Sequence, residues 1–430
     1  MAVRLPRLTT WLALSIVVAI GCSPAPTPPL ATVLPSAPPV ASPTGRPSVQ
    51  PSIDALAIYA TIAGQVEQIR GLQPKAAVTP VLIDEATLRA NLTADFDHNN
   101  PPATIEASQA ILVALGLLPP GTSLRTASLD LQSGQVAGYY SVGHDELFVV
   151  SRSGGVGPTQ KVTYSHEFTH QLQDQNFDLS ALSLGAPDQG DRSLARLSLV
   201  EGDAVTTQTT WMTQQLTALE LGQVLVDASD PAATAALERA PAILRTTSLF
   251  PYTQGYAFVG LLMARGGTAA VDAAFRDPPD STEQVLHPEK YLDRDPPVVV
   301  TPPKTLAASL GSGWTATAQD TLGELLLRTW LNTAGLPLAD ASAAAAGWGG
   351  DRLELLTGPG QMAAVALITR WDTAADAAEF AAAVRRAAAG LSEPLRVEAL
   401  SGSTAVAVAI APTSVLVDAL SGALATALGG

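Results

Sequence analysis

One short segment, Tyr164-Ser165-His166-Glu167-Phe168-Thr169-His170, constrains this chain more than any other feature. Two histidines four positions apart lie on one face of an α-helix, about one turn apart, so both imidazoles can reach a single metal ion. The glutamate between them then projects beside that ion. The whole chain has 5 histidines, so a chance match to the pattern is roughly a one-in-several-hundred event. The segment predicts a helix with a metal-binding face, and a chance match on a surface helix is the alternative.

The residues around this segment favour a buried helix. A helix is expected from Thr159 to about Gln175, with an apolar side formed by Val162, Phe168 and Leu172. This apolar side is expected to pack against the rest of the domain. The context therefore favours the metal-binding interpretation.

Two further elements are predicted near this helix. Apolar and polar residues alternate from Gln135 to Val150 around Val142-Gly143-His144-Asp145, which indicates a β-hairpin with a solvated His144 in its turn. A second helix is expected from Ser193 to about Gln215. A strand pair before the metal-binding helix and a helix after it is the arrangement such a site needs.

A catalytic zinc ion usually has three protein ligands and one open position. No third histidine follows within Gln171 to Asn176, so another residue has to complete the set. The best candidate is Glu201, on the apolar side of the second helix, where a carboxylate needs a partner. Asp203 as the ligand, or Glu201 as a plain surface acid, are the alternatives.

A His-Glu-x-x-His helix followed by a glutamate on a later helix resembles the gluzincins, a group of zinc peptidases. The resemblance covers roughly residues 135–291. It implies that His166, His170 and Glu201 are zinc ligands. It also implies that Glu167 is the general base that takes a proton from the metal-activated water attacking a peptide bond.

The resemblance also suggests how a substrate is held. In gluzincins an edge strand above the zinc helix pairs with the extended backbone of the substrate. Gln135 to Ser141 or Glu146 to Ser151 would serve, and an internal sheet strand is the alternative. The sequence Glu201-Gly202-Asp203-Ala204 differs from the longer Asn-Glu-x-x-x-Asp pattern of thermolysin-like members.

Zinc peptidases usually add a donor that stabilises the oxyanion formed at the attacked carbonyl. Tyr256 and His287 are the two candidates for this catalytic role, because a phenol or a protonated imidazole can donate to an oxyanion. Tyr256 follows an expected helix break at Phe250-Pro251, and His287 interrupts a polar run. Simple packing is the alternative for each.

The N-terminus reads as a bacterial export signal. Arg4 and Arg7 precede an uncharged apolar run from Leu8 to Ile20, which is too short for the roughly 20 residues of a membrane span. Cys22 is the single cysteine of the chain. The four residues that end at it resemble a lipobox and predict that this cysteine is lipidated. An ordinary signal peptide or an uncleaved anchor is the alternative. Ser23 to Ser52, rich in Pro, Ser and Thr, is expected to be a flexible tether.

Composition restricts the partners and the fold class. The net charge is −15, with 24 basic and 39 acidic residues, which argues against nucleic acid. We expect an α+β protein, with a signal peptide over residues 1–22 and a tether over 23–52. A mainly helical zincin-like metallopeptidase domain with an upstream β-hairpin or sheet is expected over 53–302, followed by a small α+β C-terminal unit over 303–430.

The C-terminal unit shows no cluster of nucleophiles or metal ligands. Its pattern predicts helix, helix, strand, helix, strand, strand and helix. The expected ranges are Ala316 to Leu331, an Ala-rich stretch towards Trp348, Ala363 to Thr369, Ala374 to Ala388, Leu395 to Leu400, Thr404 to Ile410, and a last helix from Ser414.

The sequence leaves two functional hypotheses. The first is a zinc peptidase, lipid-anchored at the extracytoplasmic face of a bacterial cell membrane and acting on peptide or protein substrates. The second is an inactive lipoprotein that keeps the metal site and serves as a binding or scaffold protein. Glu167 favours the first, because a degenerate site is expected to lose its base. A solute-binding lipoprotein is disfavoured, since two repeated lobes are not found.

Overall fold

The computed structural model describes residues 12–14, 51–142, 146–151, 155–186, 188–229 and 231–429. Over these residues the chain is a mixed α+β protein, 62% helical, with two β-sheets. The α+β class expected from the sequence is therefore confirmed at this level. Cys22, most of the expected tether and His144 lie outside the described residues.

Before residue 303 the described part of the chain is mainly helical, with a few short strands. Its elements are β1 Leu12–Leu14, α1 Ile53–Arg70, β2 Pro80–Ile83, α2 Glu85–Asn99, α3 Pro102–Ala114, α4 Leu124–Gln135, β3 Gly138–Ser141, β4 Glu146–Val150, α5 Pro158–Phe177, α6 Gly190–Gln215, α7 Ala218–Ala228, α8 Pro231–Arg239, α9 Ala242–Arg276, α10 Thr282–Leu286 and α11 Pro288–Leu292.

The remaining elements form the C-terminal part. They are α12 Leu306–Ser309, β5 Thr315–Asp320, α13 Gly323–Thr333, α14 Leu338–Ala345, β6 Trp348–Thr357, β7 Ala363–Trp371, α15 Ala374–Ala387, β8 Leu395–Ala399, β9 Ala405–Ile410 and α16 Ser414–Gly429.

The first helix, α1, has a well-defined cap at each end. The Ser52 side chain accepts a hydrogen bond from the backbone N–H of Ala55, and Gly71 ends the helix with a φ of 74°. The Ser52 cap sets the first residue of α1 at Ile53.

The first sheet has the strand order β1-β3-β4-β2. β3 and β4 pair antiparallel, which confirms the predicted hairpin, and β2 pairs parallel to β4. β1 lies antiparallel along the other side of β3. Helix α5 packs against the hairpin. At Gly138 a Cβ atom would lie 2.6 Å from Thr163 Cγ2, so the absence of a side chain lets β3 approach the middle of α5 closely.

Helices α5, α6 and α9 form the centre of the first part, with α6 packed against both of the others. α6 and α9 cross at two glycines. A Cβ atom on Gly202 would lie 2.2 Å from the carbonyl oxygen of Gly255, and one on Gly255 would lie 2.1 Å from that of Ser198. Only glycine allows this approach, so the crossing fixes where the first half of α9 lies beside α6.

The helix break predicted at Phe250-Pro251 is wrong. In α9 (Ala242–Arg276) the residues around Pro251 are helical, and the interruption lies instead at Gly266 and Gly267, whose φ and ψ angles are non-helical. Packing of the surrounding turns against α6 outweighs the missing N–H donor of the proline. Within the described part of the chain, α9 is also the one helix long and apolar enough to cross a membrane, judged by length and composition.

The second sheet has the strand order β5-β6-β7-β9-β8 and is antiparallel throughout. Side chains of one face pack with α16 and α12 in a separate hydrophobic cluster. The predicted helix from Ala316 to Leu331 is wrong at its start, because β5 precedes α13, and β6 was not predicted. β5 is a solvent-exposed edge strand of small and polar residues, so it has none of the large apolar or β-branched aliphatic side chains that identify a strand in a sequence.

The two parts of the chain are joined at the start of α6. Asp320, at the end of β5, accepts a hydrogen bond of 2.8 Å from the backbone N–H of Gly190. Arg352 on β6 reaches Asp188, with a shortest N–O distance of 2.6 Å. The C-terminal part therefore supports the N-terminal end of the helix that bears Glu201.

Candidate metal centre

Helix α5 brings both histidines and the intervening glutamate to one buried face. His166, Glu167 and His170 are all 0% exposed. The two imidazole rings meet edge to face with centroids 4.7 Å apart, and their Nε2 atoms are 3.0 Å apart. The one-turn spacing read from the sequence thus produces two nitrogen atoms directed at a common point.

Glu201 on α6 completes this group. Its Oε2 atom lies 3.2 Å from Nε2 of His166 and 3.4 Å from Nε2 of His170. Zinc bonds of 2.0–2.1 Å in a tetrahedral arrangement place neighbouring ligand atoms about 3.3 Å apart, so the three donors fit a zinc ion. Across the described residues they are the one group of three or more His, Cys, Asp or Glu with ligand atoms within 4.8 Å of one another.

The electrostatics of the three donors suit metal binding. Burial lowers the pKa of His166, which keeps its imidazole neutral with a lone pair to offer. Burial alone would raise the pKa of Glu201, but the two histidines outweigh it and lower that pKa. The arrangement therefore favours a neutral imidazole at His166 and an ionised carboxylate at Glu201, the protonation states that a divalent cation requires of these two ligand types.

Glu167 lies between the ligands and faces strand β3. The backbone N–H of Tyr140 donates a hydrogen bond to its carboxylate. Burial, and then the charge of Glu201, raises the pKa of Glu167 well above its usual range. A carboxyl group with a raised pKa beside a metal site can accept and return a proton near neutral pH.

Two glutamines, which the sequence reasoning did not identify, contact the outer nitrogens of the histidines. Oε1 of Gln208 lies 2.7 Å from Nδ1 of His166, and Oε1 of Gln173 lies 2.8 Å from Nδ1 of His170. Gln208 follows Glu201 by seven residues, two turns of the same helix. This spacing places Gln208 on the same helix face as Glu201, and it is the sequence signal that could have identified Gln208.

Asp203 lies beside the cluster without joining it. Its carboxylate accepts a hydrogen bond of 2.8 Å from Arg70 and one of 2.9 Å from Gln173. Of the two acids considered as the third ligand, the structure therefore brings Glu201 to the histidines and pairs Asp203 with Arg70.

Tyr252 on α9 also reaches the cluster and was missed as a site residue. Its ring stacks on that of His166 with centroids 6.3 Å apart, and its hydroxyl donates a hydrogen bond to Glu201. Burial, followed by the charges of Glu201 and Glu167, raises the pKa of Tyr252 well above its usual range. The phenol therefore stays protonated as a donor. It was missed because the expected break at Pro251 removed this turn from the helix.

The two residues chosen from the sequence as oxyanion donors lie elsewhere. Tyr256 is one turn further along α9, partly buried against Val205 and Tyr252. His287 lies between α10 and α11, where its Nε2 is 3.0 Å from Glu324 and its Nδ1 is 3.7 Å from Glu289. The structure brings neither side chain into the His–His–Glu cluster.

Comparison with known proteins concerns only the C-terminal part. A family model described as a domain of unknown function (DUF8575) matches residues 310–420. This match lies wholly within the unit expected from residue 303 onwards and includes none of α5, α6 and α9. No curated protein and no solved structure matches the chain. Any function assigned to the metal centre therefore depends on its own geometry.

Proposed function

We propose that this chain is a zinc-dependent peptidase with a zincin-like domain, His166, His170 and Glu201 being the zinc ligands. The observation that supports it best is the buried cluster itself. Three donor atoms stand 3.0–3.4 Å apart, and Glu167, a carboxyl group able to exchange protons, lies directly beside them. A site that only stored a metal would not need this fourth group.

Each residue of the site has a chemical task in peptide hydrolysis. A zinc ion, when bound, supplies a Lewis acid that polarises a carbonyl and lowers the pKa of water. Glu167 takes a proton from the attacking water while the water oxygen forms a bond to the carbonyl carbon. It then gives that proton to the amine nitrogen as the C–N bond breaks. The Tyr252 hydroxyl, already a donor to Glu201, turns to the substrate oxygen as negative charge develops on it.

Strand β3 is the proposed guide for the substrate. It lies against α5 next to Glu167, and Leu12–Leu14 pairs with it antiparallel. The lipobox interpretation predicts that residues 1–21 are removed when the chain matures. The outer side of β3 would then accept an extended peptide in the same antiparallel manner.

The proposed location is the outer face of a bacterial membrane. The support is in the sequence, where an apolar run ends at Cys22 and a Pro-, Ser- and Thr-rich stretch follows. A lipid on Cys22 and a tether to residue 52 would let the domain reach peptide or protein substrates away from the bilayer.

A non-catalytic metal-site lipoprotein is the second candidate, and one observation favours it. All four acidic and imidazole side chains of the cluster are 0–1% exposed, whereas a catalytic site must admit a substrate. Cleavage assays separate the two candidates, because both of them bind zinc.

The first test is metal content. The full chain, purified in mild detergent without chelator, is expected to contain about one zinc per molecule by elemental analysis. His166→Ala and Glu201→Ala should lose it. His287→Ala is the matched control and should retain it. Absence of zinc from the wild type after reconstitution would refute the metal centre and leave a tethered binding protein.

The second test is cleavage of casein or a peptide library by the zinc-loaded chain. Activity in the wild type and its loss in Glu167→Gln, with zinc content unchanged, would support the peptidase. A chain that begins at Cys22, and therefore lacks β1, should be assayed as well. Zinc binding without cleavage in both forms would favour the scaffold.

A further inference from the structure

We propose that Gln173 and Gln208 are positioning residues that fix the two imidazoles with their Nε2 atoms directed at the metal. This inference rests on the proposed metal centre and adds to it the means by which the chain prepares the site. Two neutral amides hold the histidines, and they do so by different hydrogen-bonding patterns.

The amide of Gln173 has only one orientation open to it. Its Nε2 donates to the backbone carbonyl of Val200 at 3.0 Å and to the carboxylate of Asp203 at 2.9 Å. Both partners are acceptors, so they take the two N–H groups of the amide. The Oε1 atom must then be the one that faces Nδ1 of His170 at 2.8 Å.

This orientation determines the tautomer of His170. A carbonyl oxygen only accepts, so Nδ1 of His170 must bear the proton. In the neutral imidazole, the Nε2 atom is then left as a lone-pair donor towards the cluster. Partners of this kind on the outer nitrogen of a metal-binding histidine set both its tautomer and its ring direction.

Asp203 is in turn held by a buried arginine. Arg70, only 2% exposed, contacts Asp203 on α6 and Asp272 on α9, each with a nitrogen–oxygen distance of 2.8 Å. The ion pair joins the end of α1 to the two helices beside the cluster. Fixing Asp203 in this way fixes the amide of Gln173, and therefore His170.

Gln208 serves His166 in a simpler way. Its Oε1 is 2.7 Å from Nδ1 of His166, and its amide nitrogen has a sulfur contact of 3.8 Å with Met212. Sulfur is a weak acceptor, so the essential property of Gln208 is its oxygen. Glu201 and Gln208 are two turns apart on α6, and one helix face therefore supplies a ligand and an orienting group.

The two glutamines should respond differently to the same substitution. Gln173 has to accept from His170 and donate to Asp203, so Gln173→Glu removes the donors and sets two carboxylates side by side. Gln208 has only to accept, so Gln208→Glu preserves its role. Gln208→Leu has a similar size but lacks the acceptor.

The experiment measures zinc affinity of the full chain by competition with a chelator of known affinity. Gln173→Glu and Gln208→Leu are expected to bind zinc about 10- to 100-fold more weakly than the wild type. Gln208→Glu should bind at least as tightly as the wild type. Thermal unfolding of each metal-free variant identifies any loss that comes from the fold, and the visible spectrum of the cobalt-loaded protein reports the ligand geometry directly.

The outcomes separate this inference from the proposed function. A wild type without zinc refutes the metal centre. A wild type that binds zinc, with Gln173→Glu and Gln208→Leu of equal affinity and an unchanged cobalt spectrum, overturns the positioning role and leaves the metal centre intact. Equal weakening in Gln208→Glu and Gln208→Leu also overturns it, because the carboxylate retains the acceptor.

Discussion

Tyr252 and Tyr256 stand on successive turns of α9, and a difference of one turn separates a site residue from a packing residue. The hydroxyl of Tyr252 contacts Glu201, whereas Tyr256 packs against Val205 and Tyr252. Both have the same chemistry and nearly the same sequence surroundings. They differ in their position along α9 relative to its crossing with α6 at Gly255, and the sequence does not state where the two helices cross.

The two tyrosines therefore provide a matched test of oxyanion stabilisation. Tyr252→Phe is expected to lower kcat by about 100-fold with little change in KM, because the lost hydrogen bond forms in the transition state. Tyr256→Phe should leave kcat close to the wild-type value. Steady-state kinetics on one cleavable peptide, at equal zinc content, measure both. A larger effect at Tyr256 would contradict the assignment.

The three residues of the His–His–Glu cluster were within reach of sequence reasoning. His166 and His170 belong to one helix, so their relative position follows from the helical repeat alone. Glu201 was inferred as a carboxylate on an apolar helix face. Gln173 and Arg70 were missed, because their roles depend on contacts between helices far apart in the chain. A polar residue of this kind looks like any solvated side chain until those contacts are known.

At the scale of elements, the crossing of α6 and α9 is the contact that brings Tyr252 to Glu201. Gly255→Ala would place a Cβ atom 2.1 Å from the carbonyl oxygen of Ser198, so the helices must separate. We expect the free energy of unfolding to fall by about 1–3 kcal/mol.

Gly260→Ala on the same helix is the control for the crossing. Its Cβ atom would have no neighbour within 4 Å, and the higher helix propensity of alanine should raise stability by up to about 1 kcal/mol. Urea unfolding of the metal-free proteins tests both variants. Equal stability of the two would show that the crossing tolerates a methyl group.

Metal removal is a second test at this scale, because the proposed ligands join α5 to α6. Zinc bound to the folded state stabilises it by about 2.7 kcal/mol when free zinc is 100 times its Kd. A chelator is therefore expected to lower the Tm of the wild type. Glu201→Ala should show little difference in Tm with and without zinc. A wild-type Tm that is the same with and without chelator would indicate that zinc does not bridge the helices.

The elements that sequence patterns located best are those whose apolar residues recur with the period of a helix or a strand. The hairpin of β3 and β4 and the helices α5 and α6 show the apolar period of their type. β5 and β6 were missed because of their residue types. β5 is an exposed edge strand of small and polar residues, and β6 has Gly349, Gly350 and Asp351 near its start, residue types that are depleted in strands. Local pattern is informative only where the residue types agree with the element that forms.

At the scale of the whole molecule, buried acids lie between the first part and the C-terminal part. Glu283 on α10 is 3% exposed. Lys290 binds it at 2.7 Å and also binds Asp372, which follows β7, at 2.6 Å. Burial raises the pKa of Glu283 to about 7; Lys290 opposes this, and the charges of Glu324 and Asp372 add to it. The junction is therefore expected to respond to pH in the neutral range.

The sign of that response follows from the direction of the pKa change. The usual pKa is 4.5 and the folded value is about 7, so the folded state holds the proton more tightly than the unfolded state. The resulting stabilisation is complete below pH 4.5 and is lost as the pH rises to about 7. The amide of Glu283→Gln cannot ionise, so this variant does not lose that stabilisation as the pH rises. Relative to the wild type, this variant should gain up to about 3 kcal/mol between pH 4.5 and pH 7.5.

Denaturant unfolding of both proteins across this pH range measures the difference, with chelator present so that the histidine site contributes equally to each. The stability difference should change most steeply between pH 5 and pH 7. A difference that stays constant with pH would mean that Glu283 ionises alike in the folded and unfolded chains. The contact between the two parts would then have to be stabilised by Lys290 and Asp372 without a protonated acid beside them.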